Sequence, residues 1–129
     1  GVIDCLGVEA MECGASYLVG EHDFKSFCKM SSAIGKPTCR NVIEVSFERE
    51  GALGEEHIAF TITGNAFLHS MVRTIVGTLV EVGAGRRDPE WVLEVITACD
   101  RRAAGPTAPA RGLCFMDVAY DDGALTACP

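Results

Sequence analysis

The chain has 129 residues, of which 48% are hydrophobic and 22% charged, and its formal net charge is −7 at pH 7. This length is typical of one globular domain, and the composition excludes an intrinsically disordered chain. The negative charge argues against a protein that binds a polyanion over its whole surface, because phosphates require cations. No signal peptide or membrane span is expected, since the longest apolar region, 67–82, contains His69, Arg73 and Glu81.

Seven cysteines are spread along the chain. Their number is odd, their spacings are long, and no Cys-x-x-Cys pair occurs, so neither a zinc site nor a disulfide framework is expected. The three histidines also lack metal-ligand spacing. The sequence therefore predicts reduced thiols, a cytoplasmic location and no bound metal.

The first half of the chain predicts one helix followed by a β-hairpin. The helix is expected from about residue 4 to 19, ended by Gly20, and residues 20–24 are expected to form a turn. Apolar residues over about 40–50, and alternating ones at 58, 60 and 62, predict two strands. Their glycine-bearing connection is typical of an antiparallel hairpin.

The second half predicts two helices and a closing strand. A long helix is expected from about residue 66 to 82, and its buried face consists of Leu68, Val72, Ile75, Val76, Leu79 and Val82. Asp88 followed by Pro89 predicts the start of a shorter helix, and a strand follows the loop 103–112. The order α-β-β-α-α-β predicts an α+β domain with an antiparallel sheet covered by helices on one face.

Arg73 is the first candidate for a functional residue. On a helix it shares a stripe with Ser70, Thr74, Gly77 and Glu81, the weakly apolar side of the long helix. A cation held on a rigid helix can pair with a carboxylate or phosphate. The alternative is a solvated arginine whose stem covers part of the helix. Gly77 leaves space for another backbone or a ligand.

Two arginine-bearing loops are further candidates. The loop 101–113 contains two prolines that restrict its backbone, so it forms either a surface that contacts a planar ligand or a rigid connector. In the loop 83–89, Arg86 and Arg87 precede a helix N-terminus, which can bind phosphate, although two adjacent helix ends explain this pattern adequately. Since the segment 69–111 holds six arginines and five acids, any contact with nucleic acid is expected there.

Three motifs follow one another along the chain: Gly-Glu-His-Asp-Phe-Lys-Ser-Phe at 20–27, Phe-Leu-His-Ser-Met-Val-Arg at 67–73, and Thr-Ala-Pro-Ala-Arg-Gly-Leu at 107–113. In order and spacing they resemble the tRNA pseudouridine synthase A family, over about residues 10–120. That family isomerises uridine to pseudouridine in the anticodon stem-loop of tRNA, without cofactor or metal. Its enzymes are homodimers whose subunits have two related α+β halves. The resemblance implies that residues 1–129 form a single domain, the carboxy-terminal half.

The resemblance also implies that the chain lacks a catalytic group. The family's nucleophilic aspartate lies in a Gly-Arg-Thr-Asp segment of the amino-terminal half, and this segment does not occur in residues 1–129. Arg73 would pair with that aspartate and hold it ionised. We therefore expect the chain by itself to be inactive. The alternative is a non-catalytic dimerisation or RNA-binding module derived from the same fold.

The remaining motif residues would contact the RNA. Leu113, which follows Gly112, would pack against the flipped-out uracil, and Phe67 and His69 would line the cleft nearby. Three arginines are candidate contacts to RNA phosphates: Arg86, Arg87 and Arg111.

Overall fold

The computed structural model describes residues 7–51, 57–108 and 114–120. The helices of these ranges are α1 (Val8–Ser16), α2 (Met30–Ala33), α3 (Met71–Gly83) and α4 (Trp91–Ala98). The strands are β1 (Gly20–Asp23), β2 (Cys39–Glu50), β3 (His57–Gly64) and β4 (Cys114–Tyr120). Short 3-10 turns lie at Lys25–Phe27 and Arg101–Ala103. None of the described helices has the length and apolar character needed to span a bilayer.

The strands form one sheet in the order β1-β2-β3-β4. The pairs β1–β2 and β2–β3 are antiparallel, as the sequence predicted for the hairpin, whereas β4 runs parallel to β3. A parallel pair requires a crossover connection, which α3 and α4 supply between these two strands. The α+β class is therefore confirmed, whereas the predicted antiparallel arrangement holds for β1, β2 and β3 but not for β4.

The helices cover one face of the sheet. Phe60 and Ile62 of β3 are fully buried, and they share one core with apolar side chains from α1, α3 and α4. Glu44, Ser46 and Glu48 of β2 point to the opposite face and are exposed. Burying one large apolar side chain contributes about 1.5–3 kcal/mol, so this core is a main source of the free energy that holds the helices on the sheet.

Residues 20–23 form a strand instead of the predicted turn. They pair with β2, with Gly20 opposite Val42 and Asp23 opposite Cys39. Their sequence, Gly-Glu-His-Asp, lacks the alternation of apolar and polar residues that indicates a strand. Strand β1 is held by backbone pairing with β2 and not by the burial of alternate side chains, so no such alternation is needed.

The helices are shorter than predicted. Helix α1 ends at Ser16, three residues before the predicted end at 19, and residues 4–6 lie outside the described ranges. Helix α3 begins at Met71 because Ser70 has a left-handed backbone with φ 64°. The Asp88 carbonyl accepts a hydrogen bond from the Trp91 N–H, so the Asp-Pro pair forms the turn that leads into α4.

Three cysteines of the described residues are free thiols, Cys13, Cys28 and Cys99. Cys39, by contrast, is disulfide-bonded. The prediction of reduced thiols is therefore wrong at Cys39, because long sequence spacing does not prevent two cysteines from meeting in the fold. Burial raises the pKa of the Cys28 thiol and also that of Cys99, which disfavours the reactive thiolate form.

Candidate functional site

The segment 105–108 crosses helix α3 in direct backbone contact. A Cβ at Gly77 would lie only 1.6 Å from the Pro106 carbonyl oxygen, so the crossing requires glycine. A Cβ at Gly105 would likewise lie 3.0 Å from the Gly77 carbonyl oxygen. The space beside Gly77 is thus filled by another backbone, one of the two occupants that the sequence suggested.

Threonine hydroxyls hold this segment on the helix. The buried Thr78 Oγ1 accepts a hydrogen bond from the Gly105 N–H at 3.0 Å. The hydroxyls of Thr74 and Thr107 are 3.3 Å apart, and Arg101 Nη2 donates to Thr107 Oγ1 at 3.1 Å. The part of α3 formed by Thr74, Gly77 and Thr78 is therefore an internal contact surface, to which the segment 105–108 is attached.

Arg73 contacts the end of the same segment through both its backbone and its side chain. Its carbonyl accepts from the Ala108 N–H at 3.0 Å, and its Nε donates to the Ala108 carbonyl at 2.9 Å. The side chain is exposed, and within the described ranges its guanidinium forms no ion pair with a carboxylate. Because a guanidinium has five N–H donors, most of them remain available to a ligand.

Phe67 and His69 lie together in an open cleft of about 360 Å³ immediately before α3. A Cβ at Gly64 would be 3.1 Å from the Phe67 ring, so the ring packs closely on the end of β3. The His69 carbonyl accepts from the Lys29 N–H at 3.1 Å, and its Nδ1 is 3.2 Å from Ser32 Oγ. The structure thus brings these two predicted residues into one cleft. Arg73 follows them closely in the sequence but is not among the residues that line the cleft.

Two cations of this cleft were not predicted from the sequence. Lys36 and Arg40 line it from the connection between α2 and β2. They are about thirty residues away from Phe67 in the chain, and only the pairing of β2 with β1 and β3 brings their segment to this position. A run of basic residues without acidic ones over 24–43 was the sequence feature that could have indicated them.

Arg86 and Arg87 lie beyond the far end of α3. This helix has 13 residues, so its two ends are about 20 Å apart at 1.5 Å per residue. Arg86 forms an ion pair with Glu81, which raises the pKa of the guanidinium, and Arg87 stacks on the Trp91 ring at 5.0 Å. Both arginines therefore have structural contacts and are separated from the cleft.

A sequence profile of the tRNA pseudouridine synthase family matches residues 15–121. The chain belongs to the tRNA pseudouridine synthase family. It is 49% identical over 115 residues to the tRNA pseudouridine synthase A of Brevibacillus brevis, a match that covers 89% of this chain and 45% of the relative. Its identity to the enzyme of that name from Myxococcus xanthus is 44% over 118 residues, covering 92% of the chain and 43% of the relative. The chain thus spans less than half the length of the curated relatives it matches.

The first motif shared with the family, at 20–27, is part of the scaffold. Asp23 accepts hydrogen bonds from the Thr38 hydroxyl and the Lys25 N–H. The buried Ser26 hydroxyl donates to the Val95 carbonyl and accepts from the Asp100 N–H at 2.9 Å. This motif of the synthase family therefore joins β1 to α4 and to the start of the segment 101–108.

The end of the third motif lies outside the described residues. Arg111, Gly112 and Leu113 fall between Ala108, which is bonded to Arg73, and strand β4, which begins at Cys114. Their contacts with the uracil and with phosphates stay predictions from the resemblance to the pseudouridine synthases.

Proposed function

We propose that this chain works as the carboxy-terminal part of a tRNA pseudouridine synthase, which isomerises uridine to pseudouridine in tRNA. The observation that carries the proposal is the fixed position of Arg73. Its Nε is held by the Ala108 carbonyl near the exposed start of α3, and among the described residues no carboxylate pairs with its guanidinium, which leaves donors for an anion. The relatives are more than twice as long as the matched region, which leaves room in them for a segment that bears the nucleophilic aspartate.

Arg73 acts by positioning and charging that aspartate. A guanidinium beside a carboxylate lowers the pKa of the carboxyl group and keeps it ionised at neutral pH. The planar fork of donors also fixes the orientation of both carboxylate oxygens through bidentate hydrogen bonds. The aspartate is thereby presented to the target nucleotide as an oriented nucleophile.

The target uridine is recognised after it leaves the base stack. Chemistry on a stacked or paired base requires extrusion of the nucleotide into a pocket, where Leu113 and Gly112 pack against the uracil. The anticodon stem-loop as target, a homodimeric enzyme in the cytoplasm, and a reaction without cofactor or metal are carried over from the family resemblance. Three arginines are proposed phosphate contacts on the same grounds: Arg86, Arg87 and Arg111.

Substitution of Arg73 in the full-length enzyme tests this function. We expect Arg73→Ala to reduce tritium release from 5-tritiated uridine in tRNA by about 10³-fold or more, because the nucleophile loses its charge partner. Arg73→Lys keeps the charge without the bidentate fork and is expected to restore only a small part of the rate. The affinity for tRNA stays within about threefold of wild type in both variants.

The matched control is Arg49→Ala, which removes an exposed arginine from β2. It is expected to leave the rate of tritium release unchanged within about twofold. Wild-type turnover by the Arg73→Ala enzyme would remove Arg73 from the mechanism.

A further inference from the structure

The cleft in front of α3 combines two cations with two aromatic rings. Lys36 and Arg40 line one part of it, and Phe67 and His69 line another. Its volume of about 360 Å³ is within the range of pockets that hold small organic groups. None of the described residues that line it carries a carboxylate, although acidic residues outnumber basic ones in the whole chain. The cleft is therefore a local site for an anion that also bears a flat apolar face.

Arg40 has more donors than the described residues satisfy. Its Nη1 donates to the Cys39 carbonyl at 2.7 Å and to the Pro37 carbonyl at 3.4 Å. Its Nε is buried and has no hydrogen-bond partner in the part of the chain that the structure describes. Since Nε is shielded from solvent, an external phosphate would be bound by the outer Nη groups of this guanidinium, which form no ion pair with a described carboxylate.

Lys36 is exposed and forms no ion pair with any described residue. It belongs to the segment 24–43, which contains four basic residues and no acidic one. A charge run of this kind is often only a solvated surface, but here the fold directs two of its cations into a cleft with aromatic rings. That arrangement is typical of sites that bind single-stranded nucleic acid.

A second open cleft, of about 480 Å³, provides a comparison. It is lined by residues of α2 and of the 98–102 segment, including Arg101 and Arg102. Arg102 is paired with Asp100 at 2.9 Å, and Arg101 donates to Thr107. The second cleft therefore contains a carboxylate, Asp100, that already neutralises one of its arginines, whereas Lys36 and Arg40 of the first cleft form no ion pair with a described carboxylate.

We propose that the cleft formed by Lys36, Arg40, Phe67 and His69 binds a nucleotide of the RNA substrate other than the target uridine. Lys36 and Arg40 hold its phosphate, and the two rings contact its base. Arg73 is the third residue of α3, four positions after His69, and does not line the cleft, so we place the bound nucleotide next to the reacting one in the RNA. The proposal rests on the proposed function, because it takes the RNA substrate as its ligand.

The test compares Lys36→Gln with Arg49→Gln in the full-length enzyme, since each variant removes one exposed cation. We expect Lys36→Gln to raise the KM for tRNA about five- to tenfold and to change kcat less than about twofold, because a phosphate contact contributes uniform binding. The slope of log Kd against log salt concentration should fall by about one unit. Arg49→Gln should leave KM and slope unchanged within about twofold.

The role of Arg40 is tested by two variants, one that removes its positive charge and one that keeps it. Arg40→Gln is expected to weaken tRNA binding at least as much as Lys36→Gln, and Arg40→Lys to retain most of the affinity because the positive charge is kept. Circular dichroism checks that each variant is folded. Should Arg40→Gln fail to fold, the exposed Lys36 variant still decides the outcome.

Equal KM and equal salt slope for Lys36→Gln and wild type would overturn the proposed nucleotide site. Failure of the proposed function is a different result, in which the wild-type enzyme releases no tritium from tRNA. RNA binding, measured by filter retention without turnover, separates the two results because it reports on the cleft even when the enzyme is inactive.

Discussion

Two residues of α3, Arg73 and Gly77, lie one turn apart and contact the same segment. Gly77 admits the Pro106 carbonyl because it has no Cβ, and Arg73 bonds the backbone of Ala108 twice. The orientation of the Arg73 side chain therefore depends on a residue 35 positions later in the chain. A substitution at Gly77 is therefore expected to change the position of the Arg73 side chain, because both residues contact the segment 105–108.

We predict that Gly77→Ala destabilises the protein by about 1–3 kcal/mol, since the new methyl group would overlap the Pro106 carbonyl and push the segment away. Urea unfolding followed by circular dichroism measures the change. In the full-length enzyme the same substitution should lower kcat, because displacement of the segment removes the acceptor of Arg73 Nε.

Gly7→Ala is the control for this experiment. Gly7 has φ −79°, and a Cβ there would meet its nearest atoms at 3.5 Å, an ordinary contact. The Gly7→Ala protein should lose no more than about 1 kcal/mol of unfolding free energy, because Gly7 is the N-cap of α1, where alanine is less favourable than glycine. A Gly77→Ala protein as stable as this control would show that the segment does not lie against α3.

At the scale of elements, α3 is fixed to neighbours along its whole length. The Gly83 carbonyl at its end accepts from the Gly7 N–H at 2.7 Å, which joins it to the start of α1. Near its middle, Thr78 accepts from Gly105, and near its beginning Arg73 bonds Ala108. This attachment makes α3 a rigid element on which a charged side chain can be held in one position.

Substitutions of Thr78 test whether its hydroxyl holds the segment 105–108 on α3. We predict that Thr78→Val costs about 1–3 kcal/mol of stability, because the near-isosteric side chain leaves the buried Gly105 N–H without an acceptor. Hydrogen exchange of the Gly105 amide should become faster in the same variant. Thr78→Ser keeps the hydroxyl, and we expect it to preserve the slow exchange and lose no more than about 1 kcal/mol.

In the full-length enzyme, Thr78 should act on the reaction only through Arg73. The valine variant is expected to lower kcat more than it raises KM, and the serine variant to restore kcat. Identical exchange rates and rates of turnover in the valine and serine variants would be inconsistent with a hydrogen bond at this position.

At the scale of the whole molecule, the two cations of the cleft in front of α3 are not paired with any described acidic residue. The exposed outer face of β2 carries Glu44 and Glu48, whereas Lys36 and Arg40 lie in the cleft in front of α3. A net charge of −7 is thus compatible with a local RNA-binding surface, because short-range contacts with phosphates depend on nearby charges rather than on the sum.

We predict that the 129-residue chain alone forms no pseudouridine. No carboxylate of the described residues pairs with Arg73, and the proposed mechanism requires an aspartate from a segment that this sequence does not contain. Incubation with tRNA that contains 5-tritiated uridine should release no tritium above background, while the full-length enzyme does so under the same conditions. Tritium release by the isolated chain would refute the assignment of the nucleophile to another segment.

Much of the fold follows from local patterns. The hairpin of β2 and β3, the apolar face of α3 and the buried side of α4 were predicted because periodic burial is recorded directly in the spacing of apolar residues. Arg73, Phe67 and His69 were proposed as site residues from motifs that are continuous in sequence, and their roles stay predictions. Features that depend on neighbouring residues in the chain were therefore determined by the sequence alone.

Only the tertiary structure shows how segments that are far apart in the sequence pair with and contact one another. It showed that β1 is a strand, that β4 runs parallel to β3, and that Lys36 and Arg40 share a cleft with Phe67. It also showed that Gly77 receives a backbone rather than a ligand. These features arise from backbone pairing and from contacts between residues far apart in the chain, and neither leaves a periodic pattern in the sequence.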